Sequence, residues 1–213
     1  MTQTPARQRD AVRTRAEVLA VATEAFADDG YSGARIDEIA RRTRTTKRMI
    51  YYYFGGKEQL YLAVLENAYR GIREAEQSLH VDEMQPIDAL RQLAELTYEH
   101  HLRNTAFIRL VSIENIHRGK YIRKLESLGD IGQPAVTILD RIIAEGKKQD
   151  AFREEVNALD LHLLISSYCV FQVANRYTFS YLFDADFTTE ARQEHMRRFI
   201  GDVVVAWATQ PQG

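Results

Sequence analysis

One predicted helix face carries side chains that suit a phosphate-lined groove. A helix over residues 47–54 would place Lys47, Arg48, Tyr51 and Tyr52 together, because they lie at i, i+1, i+4 and i+5. Lysine and arginine neutralise phosphates, and arginine can also bond the O6 and N7 atoms of guanine. Tyrosine hydroxyls can donate to phosphate oxygens. The face therefore has the chemistry of a DNA-binding surface, with Lys47 and Arg48 as the expected base readers.

The opposite face of this helix is apolar and is expected to pack on a core. Met49, Ile50, Tyr53 and Phe54 share it. The dipeptide Gly55-Gly56 should end the helix, because glycine tolerates positive φ.

A second short helix is predicted just before this one. Over residues 36–42, Ile36, Ile39 and Ala40 recur at helical spacing and can face a core. The intervening Thr43-Arg44-Thr45 has the length of the turn in a helix-turn-helix.

The predicted DNA contacts are cations, the hydroxyl groups at the turn and the tyrosines of the second helix. The hydroxyl groups at the turn also suit helix capping. Lys57 joins them because it would begin the next helix, where its ammonium can approach a phosphate beside backbone amides. The set is Arg35, Arg44, Thr45, Thr46, Lys47, Arg48, Tyr51, Tyr52, Tyr53 and Lys57.

The charge distribution favours the same end of the chain. The net charge of the whole sequence is −2, but residues 1–57 contain 11 Lys and Arg against 7 Asp and Glu. Residues 58–213 contain 17 against 23. Four further arginines extend the basic end into an arm that either reaches DNA or is simply solvated: Arg7, Arg9, Arg13 and Arg15.

Composition predicts an all-α protein. The 213 residues are 45% hydrophobic and include only 4 prolines and 11 glycines, and long apolar stretches follow a helical period. The single cysteine, Cys169, excludes an intrachain disulfide and is expected to be a buried structural thiol. The N-terminus lacks an apolar signal-peptide core, so we expect a cytoplasmic protein that does not span a membrane.

The remaining helices follow from capping signals and apolar spacing, after a flexible stretch over residues 1–12. Expected starts are the capping box Thr14-x-x-Glu17, Pro86 at a first helical position and the cap Asn157. The predicted spans are 14–28, 57–79, 86–101, 105–117, 134–148, 157–179 and a last helix after Thr188 or Thr189.

The region after residue 57 has two further properties. Its last two long helices are apolar over more than one stripe, so they either complete the monomer's core or bury the surplus in a homodimer. Aromatic and polar side chains also recur at helical spacing and could line a pocket for an aromatic or carboxylated small molecule, although most of them could equally be core. This candidate set is Phe107, Leu110, Val111, Glu114, His117, Tyr168, Phe171, Gln172, Asn175 and Arg176.

The N-terminal motif resembles the signature of TetR-family regulators. The resemblance covers roughly residues 14–65 and departs from the family at the turn, where Ala-Gly-Val is common, at Arg48, where a small residue is common, and at Tyr53, where histidine is frequent. The matching positions are Ala22, Ala25-Phe26, Gly30-Tyr31, Ile39-Ala40, Thr46-Lys47, Ile50-Tyr51, Tyr53-Phe54 and Lys57-Glu58-x-Leu60.

The resemblance implies a three-helix DNA-binding domain over residues 1–57 and a helical effector-binding and dimerisation domain over residues 58–213. It implies a homodimer formed through the two C-terminal helices, a palindromic double-stranded DNA operator, repression by default, and release when a small organic effector binds.

Two other functions remain open at this point. A protein partner could replace the small molecule as the ligand of the C-terminal body. An all-α enzyme is the second alternative, but the histidines form no HExxH or other metal-spaced pattern, and no nucleophile motif or Gly-rich phosphate loop is present. We therefore expect no catalytic residue, no metal site and no cofactor.

Overall fold

All regular structure in the described part of the chain is helical. The computed structural model describes residues 5–209, with side chains from 10 to 127 and from 129 to 209. This confirms the predicted all-α class.

The described residues form two compact units. Unit 1 comprises the residues up to 68 together with 109–126, and unit 2 comprises 69–108 together with the residues from 127 onward.

Unit 1 begins with four consecutive helices. Their bounds are α1 Pro5–Gly33, α2 Ile36–Arg42, α3 Lys47–Phe54 and α4 Lys57–Gln77, of which the part up to residue 68 belongs to this unit. The α2 and α3 spans agree with the predicted ones. Near the end of α1, Gly30 has a φ of 70°, a left-handed conformation that costs glycine little.

The core of unit 1 contains at least one fully buried side chain from each of these helices. Phe26 of α1, Ile39 of α2, Ile50 of α3 and Tyr61 of α4 have no exposed surface. Burial of such a side chain contributes about 1.5–3 kcal/mol, so these contacts hold the two short helices that could not persist alone.

An aromatic cluster closes the core of unit 1. The rings of Tyr31 and Tyr121 lie 4.4 Å apart, and Tyr61 meets Phe26 at 4.9 Å and Tyr121 at 5.1 Å in edge-on arrangements. Tyr121 follows α6 (Thr105–Ile116) and precedes a 3₁₀ turn over Ile122–Lys124.

Unit 2 is built around α5 (Pro86–Arg103). Against it pack α7 (Leu128–Lys148), α8 (Ala158–Ala174) and α10 (Glu190–Thr209), while the short α9 (Arg176–Phe183) adjoins α8. A 3₁₀ turn over Val81–Glu83 also contacts α7.

The core of unit 2 explains this arrangement. Leu90, Leu161, Ile200 and Val204 are fully buried and come from α5, α8 and α10. Cys169 is also fully buried in this core, as predicted, and burial raises the pKa of its thiol.

The prediction for the N-terminal residues is wrong. The helix begins at Pro5 and not at a capping box on Thr14. Proline is well suited to a first helical position, and Arg13 lies 3.8 Å from Asp10 and 3.7 Å from Glu17, which supports the helix from within. The Thr14 hydroxyl donates to the Asp10 carbonyl at 2.8 Å, as expected of a threonine inside a helix.

Two further helix boundaries differ from the predicted ones. α7 begins at Leu128 rather than near 134, because buried Ile131 and Ala135 continue its apolar stripe towards the N-terminus. The predicted helix over 157–179 is interrupted at Asn175, whose side-chain amide donates to the Phe171 carbonyl and competes with the backbone pattern. Its predicted cap is confirmed, because the Asn157 side chain accepts from the Asp160 amide at 2.9 Å.

Among the described helices, none combines the length and the apolar content that crossing a bilayer requires.

Two glycines of α7 should respond oppositely to alanine. A β-carbon at Gly146 would overlap the Phe152 ring, whereas one at Gly132 would meet open space. We expect Gly146→Ala to lower the free energy of unfolding by about 1–3 kcal/mol through overpacking. We expect Gly132→Ala to raise it by about 0.5–1 kcal/mol, since alanine favours a helix. Denaturant titration measures both, and changes of the same sign would contradict this account.

Candidate nucleic-acid interface

The exposed face of α3 is the one predicted from its sequence. Lys47, Arg48, Tyr51 and Tyr52 are exposed, with Tyr52 at 73%. On the other side Ile50 and Phe54 are buried. The apolar face therefore fixes the orientation of α3 and leaves its cationic, tyrosine-bearing face to solvent.

Both ends of α3 are held by local backbone chemistry. The Thr46 hydroxyl accepts from the Met49 amide at 3.2 Å, which caps the first turn. Gly55 at the other end has a φ of 83°, and its amide donates to the Tyr51 carbonyl at 2.8 Å. These contacts support the predicted capping role of Thr46 and the predicted stop at Gly55.

The turn between α2 and α3 brings an arginine into a left-handed conformation. Arg44 has a φ of 50°, which costs a residue with a β-carbon about 1–2 kcal/mol. Hydrogen bonds on both sides hold the turn: the Thr43 hydroxyl donates to the Ile39 carbonyl at 2.8 Å, and the Thr45 amide donates to the Ala40 carbonyl at 3.0 Å. The Arg44 side chain is exposed beside α3.

Two of the predicted lysine contacts already have partners. The Lys47 ammonium lies 3.1 Å from an Asp37 carboxylate oxygen. The Lys57 ammonium donates to the Ser32 carbonyl at 3.4 Å and lies 5.0 Å from the Tyr31 ring centroid. Burial lowers the pKa of Lys57.

All ten predicted DNA contacts belong to unit 1. Arg35 is exposed at the start of α2, the other nine lie in the turn, on α3 or at the first residue of α4, and Thr45, Tyr53 and Lys57 are half-buried. The unit therefore gathers hydroxyl groups and cations around one short helix.

The predicted arginine arm is partly helical. Arg13 and Arg15 lie in α1, and the Arg15 guanidinium stands 4.9 Å from the Phe54 ring centroid. The side chains of Arg7 and Arg9 lie outside the described residues.

Two family models cover most of the chain. The model for bacterial regulatory proteins of the tetR family matches residues 18–64, and the model for a tetracyclin repressor-like C-terminal domain matches residues 86–204. The chain belongs to the TetR family. It is therefore a transcriptional regulator and not an enzyme, which removes the all-α enzyme alternative.

Similarity to named transcriptional repressors extends along most of the chain. The HTH-type transcriptional repressor NicS of Pseudomonas putida is 34% identical over 203 residues, which cover 95% of this chain and 96% of that protein. The HTH-type transcriptional repressor SCO4008 of Streptomyces coelicolor is 30% identical over 64% of this chain and 73% of its own length.

Solved structures share the fold. A TetR-family regulatory protein from Rhodococcus RHA1 matches with a TM-score of 0.70 at 19% identity, over 93% of this chain and 98% of that one. The transcriptional regulator SCO4942 of Streptomyces coelicolor gives 0.69 at 23% identity, over 93% and 99%. At these identities the likeness concerns the fold alone.

The ten residues predicted to bind an effector are divided between the units. Leu110, Val111, Glu114 and His117 lie in unit 1. The other six lie in unit 2: Phe107, Tyr168, Phe171, Gln172, Asn175 and Arg176.

Glu114 has a complete set of internal partners in unit 1. One carboxylate oxygen accepts from the Tyr61 hydroxyl at 3.0 Å, and the other accepts from the amides of Tyr121 and Ile122 at 3.0 and 2.9 Å. Its side chain is 3% exposed. These bonds join α4, α6 and the segment after α6, which accounts for the burial of a charged group.

A cleft in unit 2 contains one residue of the predicted set, Arg176. The cleft measures about 820 Å³ and lies along α5, α9 and α10. Its charged walls pair with one another: Arg197 lies 2.7 Å from Glu194 and 3.7 Å from Glu99. Small-molecule pockets usually have mostly apolar walls, so this lining is more typical of a surface ion network.

Unit 2 also buries polar side chains whose burial the sequence analysis did not predict. Arg73 and Glu76 of α4 and His101 of α5 are largely buried. A signal was available, because Glu76 and His101 each fall on the apolar stripe of their helix, at helical spacing from Ile72 and Thr97.

The Glu114 hydrogen bonds should dominate the effect of a neutral substitution. Glu114→Gln replaces one acceptor oxygen with a donor, so a buried amide or the Tyr61 hydroxyl loses its partner. We expect the free energy of unfolding to fall by about 1–3 kcal/mol. The exposed Glu126→Gln is the matched control and should change it by less than about 0.5 kcal/mol. Equal losses in the two variants, measured by denaturant titration, would rule out this role.

Proposed function

We propose that this TetR-family protein is a repressor that binds a palindromic operator as a homodimer and releases it when a small organic effector binds. The exposed cationic, tyrosine-bearing face of α3 carries the proposal. Residues 1–57 then form the arm and DNA-binding domain, and residues 58–213 carry effector binding and dimerisation.

Within this proposal the contacts of α3 have different tasks. Arg48 is exposed, and no ion pair within the described residues engages it, so it is available to bond guanine. Lys47 can also reach a base, but it must exchange its Asp37 partner for DNA. A bound phosphate would likewise draw Lys57 from the Ser32 carbonyl.

The remaining predicted contacts position the helix on the phosphate backbone. Hydroxyl groups and exposed cations near the turn suit this task, because such contacts fix the register without reading sequence. They are Arg35, Arg44, Thr45, Thr46, Tyr51, Tyr52 and Tyr53.

Apolar surface on the last helices supports the homodimer. Leu159 and Leu163 of α8 are each 65% exposed, and Phe199 and Trp207 of α10 are 46% and 38% exposed. The Tyr168 and Phe199 rings stack at 5.9 Å, so α8 and α10 present this surface together. A second copy of the chain would cover it. The two recognition helices would then read half-sites roughly 34–36 Å apart, or a multiple of that distance.

Selection of bound duplexes from a random DNA pool tests the function directly. We expect a palindromic motif, and we expect a member of a metabolite library to abolish binding to it. Arg48 of α3 and Lys57 of α4 should then separate in their effects. Arg48→Ala should relax preference at one base pair, worth about 1–3 kcal/mol, while Lys57→Ala should weaken binding to all sequences and reduce the salt slope by about 1.

Several results would count against this assignment. Purified dimer that shows no sequence preference at low salt would remove the central claim. Equal, sequence-independent losses in Arg48→Ala and Lys57→Ala would reject the division between base reading and phosphate binding.

A charge on the exposed apolar surface should dissociate the dimer. Leu163→Glu would bury an unpaired carboxylate at the proposed interface, so we expect the dimer dissociation constant to rise by about tenfold or more. Ile116 of α6 is 75% exposed and lies outside this surface, which makes Ile116→Glu the matched control. Sedimentation velocity over a concentration series measures both. A Leu163→Glu protein that dimerises as tightly as Ile116→Glu would place the interface elsewhere.

A further inference from the structure

Unit 2 brings together five ionisable side chains from three helices, of which Glu76 and His101 are buried and the other three are partly buried. Arg73 and Glu76 belong to α4, His100 and His101 to α5, and His162 to α8. The ring centroids of His100 and His101 lie 5.8 Å apart. We call these five residues the buried polar cluster.

The cluster is incompletely bonded. The Arg73 guanidinium donates through one Nη to Glu76, and the two side chains are 12% and 6% exposed. Three buried nitrogens of the cluster have no hydrogen-bond partner among the described residues: Arg73 Nε, His100 Nδ1 and His101 Nδ1. Buried polar atoms are rarely left unbonded, so these nitrogens on two helices call for a partner other than the described residues.

Aromatic rings line one side of the cluster. The Phe107 ring centroid lies 5.3 Å from that of His101 and 6.1 Å from that of His100. Tyr69 meets Phe107 edge-on at 5.1 Å. Apolar walls with a few converging polar groups are the usual composition of a small-molecule site.

Arg73 is the cation of the cluster, and the three histidines are shifted towards the neutral form. Burial, together with the Arg73 charge, lowers the pKa of His100 and of His162. Burial, followed by the charges of His100, Arg73 and His162, lowers the pKa of His101 to about 3. His101 is therefore neutral near pH 7 and can donate one hydrogen bond, while arginine stays charged. Burial also raises the pKa of Glu76, whose carboxylate accepts from the Arg73 guanidinium.

We infer that Arg73, His100 and His101, with Phe107 as the apolar wall, bind a small aromatic carboxylate. A carboxylate offers only acceptors, which match an arginine Nε–H and imidazole N–H groups, and its ring can pack on Phe107. The further step, that this is the effector site, rests on the proposed function. Of the residues expected from the sequence to contact the effector, Phe107 belongs to this site.

Matched carboxylates and amides test the chemistry on the full chain. The probes are benzoate, phenylacetate and indole-3-acetate, each beside its primary amide, measured by isothermal titration calorimetry and thermal shift. We expect at least one acid to bind and to raise the melting temperature, and its amide to bind about tenfold more weakly or worse, because the amide replaces an acceptor with a donor. Failure of every acid, or equal binding of acid and amide, would overturn the inference.

Variants then locate the bound acid. Arg73→Lys keeps the charge but removes Nε, and His101→Phe keeps a ring but removes Nδ1. Each should weaken binding of the acid by about tenfold or more. His80→Ala and His195→Ala remove exposed histidines and serve as controls that should retain affinity. Unchanged affinity in both cluster variants would overturn the site.

Histidine ¹⁵N spectroscopy of the unmodified chain covers the case in which a cluster variant fails to fold. The imidazole signals of His100 and His101 should shift on addition of the acid, while the His80 and His195 signals, assigned from the control variants, should not. Shifts confined to His80 or His195 would place the ligand elsewhere and overturn the site.

Different results would contradict the carboxylate site and the proposed repressor function. If the acid binds through the cluster but saturated protein holds the selected operator unchanged, the effector role is wrong and the carboxylate site stands. If the protein selects no DNA sequence, the proposed repressor function fails, and the binding results for the acid still decide the site. If operator binding is normal and no acid binds, only the carboxylate inference is lost.

Discussion

Burial of Ile50 and Phe54 is the constraint on which the exposed face of α3 depends. α3 has only eight residues, too few to persist as an isolated helix, so it forms because its apolar face joins the core of unit 1. The same packing decides which side chains remain in solvent. Arg48 and its exposed neighbours are therefore oriented by the buried residues on the opposite face of the helix. The Thr46 cap and Gly55 limit where this helix can begin and end.

The apolar core of unit 2 lies beside buried polar groups that lower the free energy of unfolding. Fully buried side chains such as Leu90, Leu161 and Ile200 hold α5, α8 and α10 together. Beside them Arg73 and His101 leave nitrogens unbonded, which stability alone would not select. A structural feature that lowers the free energy of unfolding is a candidate for a functional role. The buried polar cluster is such a feature, whereas the paired charges beside α10 are not.

Features that short-range spacing and capping side chains determine could be predicted from the sequence, whereas features that tertiary packing determines could not. The bounds of α2 and α3 and the Asn157 cap were predictable, because short-range spacing and capping side chains determine them. The start of α7 was not predictable, because the glycines and the proline near it suggested a loop. The break at Asn175 was not predictable either, because the apolar spacing continues through it. The exposed face of α3 followed from helical periodicity, but the burial of Arg73 and His101 depends on which helices surround them.

The left-handed backbone at Arg44 limits which side chains this position can accept. Only glycine, asparagine and aspartate enter that conformation readily, and none of them is a cation. A substitution at this position therefore exchanges the positive charge for lower backbone strain, and β-branched residues are disfavoured for steric reasons alone. Lys47 and Arg48 lie on helical backbone, which accepts most side chains. Residue 44 is thus restricted by its backbone conformation, whereas the adjoining exposed positions of α3 are open to substitution.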